Sequence, residues 1–122
     1  MKLRIKGNSL RIRLTKTEVS TLANTGHLEE QTVFPSNTFK YVLQKVDDGT
    51  ELSATFTNDT ITMYVPASFV NSWPGNEVVG INTNMPLPGT GSLYLLLEKD
   101  FICLDETTED QSDNYENPNK TC

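Results

Sequence analysis

The densest chemistry of the chain lies at its start, where Lys2, Arg4, Lys6, Arg11, Arg13 and Lys16 fall within sixteen residues that contain no carboxylate. Such side chains hold phosphate or carboxylate oxygens through charge-assisted hydrogen bonds. If about six of them met phosphates, affinity would fall roughly a thousandfold between about 50 and 200 mM salt. No aromatic residue accompanies them in that stretch, so a base would find no stacking platform there. The other end is the mirror image: Asp100, Asp105, Glu106, Glu109, Asp110, Asp113 and Glu116 run between Lys99 and Lys120 without a basic residue. Charge of one sign recruits the other, so the basic stretch is expected to meet an anionic partner or this acidic tail. If the tail is the partner, deleting residues 105–122 raises binding to DNA or heparin. The third expectation is a solvated outer sheet face, because Lys and Arg on a hairpin also guard its edges against aggregation.

Other constellations offer less. Asp105, Glu109, Asp110 and Asp113 could attract a cation, and Asp110, Ser112, Asn114 and Glu116 alternate like the start of a calcium loop. Tyr115, however, stands where that loop needs Gly, and Thr121 where it needs a closing Glu. Cys103 and Cys122 have no metal-ligand spacing and read as free thiols. His27 is the one histidine, placed beside Gly26 in a loop with no nucleophile motif elsewhere. Gly89 and Gly91 belong to a turn, not to a phosphate loop that opens a helix. Trp73 shares a helical stripe with Phe69 and Val70, as a core residue would. The expectation is no catalytic residue, no metal and no cofactor.

The elements that must carry the basic residues follow from periodicity. Leu3 and Ile5 alternate with Lys2, Arg4 and Lys6; after the Gly7-Asn8 turn, Leu10, Ile12 and Leu14 alternate with Arg11 and Arg13. A hairpin is predicted over 2–14, apolar on one face and basic on the other. Thr15 and Glu18 have capping-box spacing, and Gly26 stops the short helix they start. Strands are predicted at about 28–33 and 38–46, with Phe39, Tyr41 and Leu43 on one face, before an Asp47-Asp48-Gly49 turn.

The second half repeats this plan. A shift of 51 places Phe56 on Ile5, Ile61 on Leu10, Met63 on Ile12, Val65 on Leu14, Val70 on Val19 and Trp73 on Leu22. Asn58-Asp59 takes the turn position, and Pro66 opens a helix that Pro74-Gly75 closes. Identities are few, so pattern alone leaves open whether residues 1–50 and 51–104 are duplicated units or merely similar ones. The strand from Leu93 toward Leu104 is apolar for most of its length and reads as central, buried on both faces. Beyond it the composition has too little apolar surface to offset ordering entropy, which predicts a disordered or draped tail over 105–122. The fold class expected is mostly β (α+β), a compact barrel-like domain over 1–104, with a pseudo-twofold pair of strand-strand-helix-strand-strand units.

Two resemblances add to this. The stretch KGNSLRIRLTKTEVSTL, residues 6–22, resembles the swapped-hairpin bacterial DNA-binding domains of transition-state regulators and antitoxins. Those domains have a proline after the second strand, where this chain has Thr15; the second half supplies it as Pro66. The resemblance implies two interlocked units and a nucleic-acid role. The whole chain, through MKLRIKGNSLRIRLTKTEV and LEKDFICLDETTEDQSDNYENPN, resembles a family of small uncharacterised bacterial proteins, which implies no activity.

A chain of 122 residues fits one domain with a core of its own. The net charge of -6 argues against a surface given over entirely to nucleic acid. No apolar run is long enough for a membrane span or a leader, so a cytoplasmic protein is expected. The functional expectation is a non-enzymatic binding or interaction module. The alternatives are a nucleic-acid binder of the swapped-hairpin kind and, third, a metal protein or enzyme.

Overall fold

The computed structural model describes residues 1–101 and 112–115. The first alternating segments form β1 (Lys2–Lys6) and β2 (Ser9–Leu14), paired antiparallel with Leu3 opposite Ile12 and Ile5 opposite Leu10. Helix α1 (Lys16–Thr25) begins at Thr15, whose hydroxyl accepts from the Glu18 N–H while the Glu18 carboxylate accepts from the Thr15 N–H. It ends at Gly26, where a φ of 78° favours a residue without Cβ.

A second hairpin joins β3 (His27–Val33) to β4 (Thr38–Val46), and a third joins β5 (Ser53–Thr57) to β6 (Thr60–Pro66). Asn58 and Asp59 both have positive φ, as a two-residue hairpin turn of matching twist requires. The helix expected between Pro66 and Gly75 is split into α2 (Ala67–Val70) and a 3-10 turn at Trp73–Gly75. Strands β7 (Gly80–Pro86) and β8 (Ser92–Lys99) complete the order.

The strands build two separate four-stranded sheets, β1-β2-β8-β7 and β3-β4-β6-β5. They do not close into the expected barrel, because β1 and β7 end one sheet and β3 and β5 end the other. In each sheet the central pair is parallel and the outer pairs antiparallel. Each sheet therefore takes one hairpin from either half of the chain. The correspondence reaches single bonds. The Tyr94 N–H donates to the Asn8 carbonyl and the Lys40 N–H to that of Asp59; Lys99 N–H donates to Val79 and Lys45 N–H to Gly26.

The core lies between the sheets. Leu10, Ile12 and Leu14 of β2 and Leu95 and Leu97 of β8 meet Leu43, Ile61, Met63 and Val65 of the other sheet. Val19 and Leu22 of α1 join Val70 and Trp73 against it. Trp73 is fully buried, stacked at a tilt on Phe69, and its Nε1 donates to the Val78 carbonyl at 2.7 Å, so the indole gives up no hydrogen bond on burial. The last strand is central as expected, but only Leu95, Leu97 and Lys99 are buried; the alternate residues Tyr94, Leu96 and Glu98 line an outer face that is half exposed. Its expected continuation from residue 102 to Leu104 lies outside the described residues. No helix among the described residues is long and apolar enough to cross a membrane.

Candidate anion-binding face

Strand alternation sends Lys2, Arg4 and Lys6 of β1 and Arg11 and Arg13 of β2 to one side, opposite the core set of Leu3, Ile5, Leu10 and Ile12. The register sets Lys2 against Arg13 and Arg4 directly against Arg11. Like charges at such positions cost a few tenths to about 1 kcal/mol. Parallel pairing with β8 adds Tyr94 beside Ser9, Leu96 beside Arg11 and Glu98 beside Arg13.

The face divides into two ends. Toward the helix, Glu98 accepts from Arg13 Nε at 2.7 Å and lies 3.8 Å from Arg11 Nε, while Lys2 Nζ is 3.2 Å from the buried Asp100 carboxylate. Of the expected anion-binding residues, Lys2 and Arg13 are thus closely paired with carboxylates, and Arg11 more loosely at 3.8 Å. Toward the Gly7-Asn8 turn, Arg4, Lys6, Ser9, Arg11 and Tyr94 line a hollow of about 170 Å3. Arg4 and Lys6 are exposed and have no ion pair among the described residues. The Ser9 hydroxyl donates to the Lys6 carbonyl at 2.6 Å and holds the turn that presents Lys6.

Lys16 does not join this face. It starts α1, and its ammonium sits 5.8 Å from the centre of the Tyr115 ring. Residues 112–115 of the acidic segment lie beside it. At the first turn of α1, Asp113 accepts from the Lys16 N–H through its carbonyl and from the Thr17 N–H and hydroxyl through its carboxylate. The Thr15 hydroxyl accepts from the Glu18 N–H and the Glu18 carboxylate from the Thr15 N–H, so all four open donors of the helix start are met. Hydrogen bonds from the hydroxyls of Thr15 and Thr17, the Thr17 N–H and the charge of Lys16 hold the Asp113 carboxyl below its ordinary range against slight desolvation. Tyr115 follows, bridged to Phe101 and lying 4.8 Å from the Lys99 ammonium. Residues 112–115 are therefore draped on the helix start rather than on the Arg4–Arg11 face. Cys103, Asp105, Glu109, Asp110, Glu116 and Cys122 lie outside the described residues.

Lys99 is buried on the core side of β8; its ammonium donates to the Asn76 carbonyl at 2.7 Å, and burial lowers its pKa against the nearby Glu77 charge. Lys45, at the matching place of β4, donates to the Ala23 carbonyl near the end of α1 and to Asn71 Oδ1. Both lysines tie strand ends to helix ends. His27 is exposed between Gln44 and Glu29, with its ring nitrogens 3.0 and 3.3 Å from their oxygens.

Tyr94 and Ser9 complete the hollow and were not singled out from the sequence. Tyr94 is about eighty residues away along the chain, and the strand that carries it reads as apolar for most of its length. The available signal was the alternation of Tyr94 and Glu98 with Leu95 and Leu97.

The sequence model of a family of unknown function, DUF7009, matches residues 1–119. No curated protein and no solved structure matches the chain. The match spans the hairpin, both sheets and the segment that caps α1, so the chain belongs to this family of unknown function.

Proposed function

We propose that the chain is a non-enzymatic binding module whose anion site is the turn end of the basic sheet face, built by Arg4, Lys6, Ser9, Arg11 and Tyr94. The observation that carries this is an internal comparison. At the positions that the 51-residue shift equates with Lys2, Arg4, Lys6, Arg11 and Arg13, the other sheet carries Ser53, Thr55, Thr57, Thr62 and Tyr64, in the same cross-strand register. The architecture is thus satisfied by neutral side chains, and the cations of the first sheet, with Arg4 facing Arg11, are not a requirement of folding. A binding role accounts for their retention despite the repulsion.

The experiment is titration of the full chain with a labelled polyanion, followed by fluorescence anisotropy, for the wild type and for Arg4→Ala, Arg11→Ala and Lys16→Ala. The first two variants weaken binding and Lys16→Ala leaves it unchanged. Equal losses in all three count against the site.

A second reading, single-stranded nucleic acid as the anion, draws on Tyr94, which supplies the aromatic platform missing from the hairpin itself. The strand order supports an origin of the fold in two tandem units of the swapped-hairpin kind, since each sheet pairs a hairpin from one half with a hairpin from the other. The reading places the protein in the cytoplasm, with the paired Glu98 and Asp100 limiting contact to the turn end of the face.

A further inference from the structure

At the hairpin-turn end of the molecule the two sheets part around a cleft of about 450 Å3, within the range of roughly 300–1,000 Å3 typical of small-molecule sites. Its walls are apolar and come in corresponding pairs: Ile5 and Phe56, Leu10 and Ile61, Phe39 and Leu93. The cleft therefore sits where like positions of the two halves face one another. Ile5 and Phe56 stand at its mouth, 58% and 66% exposed, although Ile5 is on the core side of its strand. Such exposure leaves apolar surface in water, about 25 cal/mol unfavourable for each Å2.

Charge tells what fits there. Ser9 borders both this cleft and the basic hollow, so the two adjoin at the β1–β2 turn. Lys6 and Arg4 flank Ile5 in sequence and point to the other side of the same strand. A chain leaving the cleft past Ser9 meets Lys6 and Arg4, which have no carboxylate partner among the described residues. Among the described residues no carboxylate lines the cleft.

We infer that the cleft and the hollow are one site for an amphipathic anion, an alkyl chain held between the sheets with its terminal carboxylate or phosphate on Lys6 and Arg4. The inference rests on the anion site proposed above and names its ligand class.

The test is isothermal titration calorimetry of the full chain with dodecanoate, dodecyl phosphate and dodecanol. Dodecanoate binds, and Arg4→Gln/Lys6→Gln weakens it about tenfold, the effect of two lost exposed charge contacts of about threefold each, while dodecanol is unaffected. Ile5→Ser/Phe56→Ser, two exposed positions, weakens dodecanoate and dodecanol alike. Ala54→Phe, which fills the cleft, abolishes both if its melting temperature stays near that of the wild type; the exposed pair carries the test otherwise. Tighter binding of dodecyl phosphate than of dodecanoate assigns the head group to phosphate and supports the site.

Equal affinity for dodecanol and dodecanoate, unchanged by Arg4→Gln/Lys6→Gln, overturns the coupling of cleft and hollow. Absence of dodecanoate and dodecyl phosphate binding overturns the inference, and retained polyanion binding to the basic face then shows that the earlier proposal stands without it. Concentration-dependent self-association lost in Phe56→Ser reassigns the cleft to a contact between copies and also overturns it.

Discussion

Glu98→Gln is expected to strengthen the binding of a single-stranded oligonucleotide, because Glu98 occupies Arg13 at 2.7 Å and leaves the turn-end cations to act alone. With Arg4, Lys6 and Arg11 as the contacts, a slope of about −0.7 per phosphate gives about −2.1 on a log–log salt plot. A fourfold rise in salt, from about 50 to 200 mM, then weakens binding about 18-fold. Releasing Arg13 adds a contact; the slope becomes about −2.8 and the loss over the same interval about 50-fold. The assay is anisotropy of a labelled oligo(dT) across that range. Glu77→Gln changes the net charge equally but lies beside Lys16 and Lys99 in a separate hollow, so it serves as the control. The reasoning is refuted if Glu98→Gln leaves both slope and affinity at their wild-type values, or if the wild type already shows a slope near −3.5, the value for five contacts.

Three further outcomes follow from the geometry. Asp113→Ala removes the carboxylate that caps Thr17 and is expected to accelerate hydrogen exchange at Thr17 while Glu18, capped by Thr15, keeps its protection. Because hydrogen bonds from Thr15 and Thr17 depress the Asp113 pKa in the folded chain, its contribution is complete above the unfolded value and is lost as pH falls through the folded one; a pH series of that exchange should show the Asp113 effect persist down to about pH 4 and fade only below it. Trp73→Ala, at a fully buried position, is expected to cost about 3–5 kcal/mol in urea denaturation, and Trp73→Phe less, having lost the hydrogen bond to Val78 but kept most of the ring volume.

The hairpins, the α1 caps and the core stripe were legible because each rests on local chemistry. Alternation fixes which face of β1 and β2 is basic, and Thr15, Glu18 and Gly26 mark both ends of a helix within eleven residues. The pairing of β2 with β8 was not legible, since parallel strands eighty-five residues apart leave no turn signal. That pairing decides the site: it brings Tyr94 to the hollow and sets Glu98 on Arg13, so the six-residue cluster of the sequence becomes a smaller patch without Lys2, Arg13 and Lys16. Closure was misjudged for a related reason. A strand order of hairpins from both halves satisfies a barrel or a pair of sheets equally in pattern, and the difference lies in whether edge strands meet. For residues 112–115, the described part of the expected tail, the target was not legible, because the helix start holds Asp113 through the Lys16 and Thr17 N–H groups and the Thr15 and Thr17 hydroxyls rather than through net charge.

The account depends most on where an anion lands. Amide and side-chain chemical shifts of isotope-labelled full chain, titrated with a short single-stranded oligonucleotide at low salt, test it directly. Shifts should gather at Arg4, Lys6, Ser9, Arg11 and Tyr94, with Lys16, Lys45 and Lys99 unmoved. Shifts centred on Lys16 and Lys99, or spread evenly over all lysines and arginines, would contradict it.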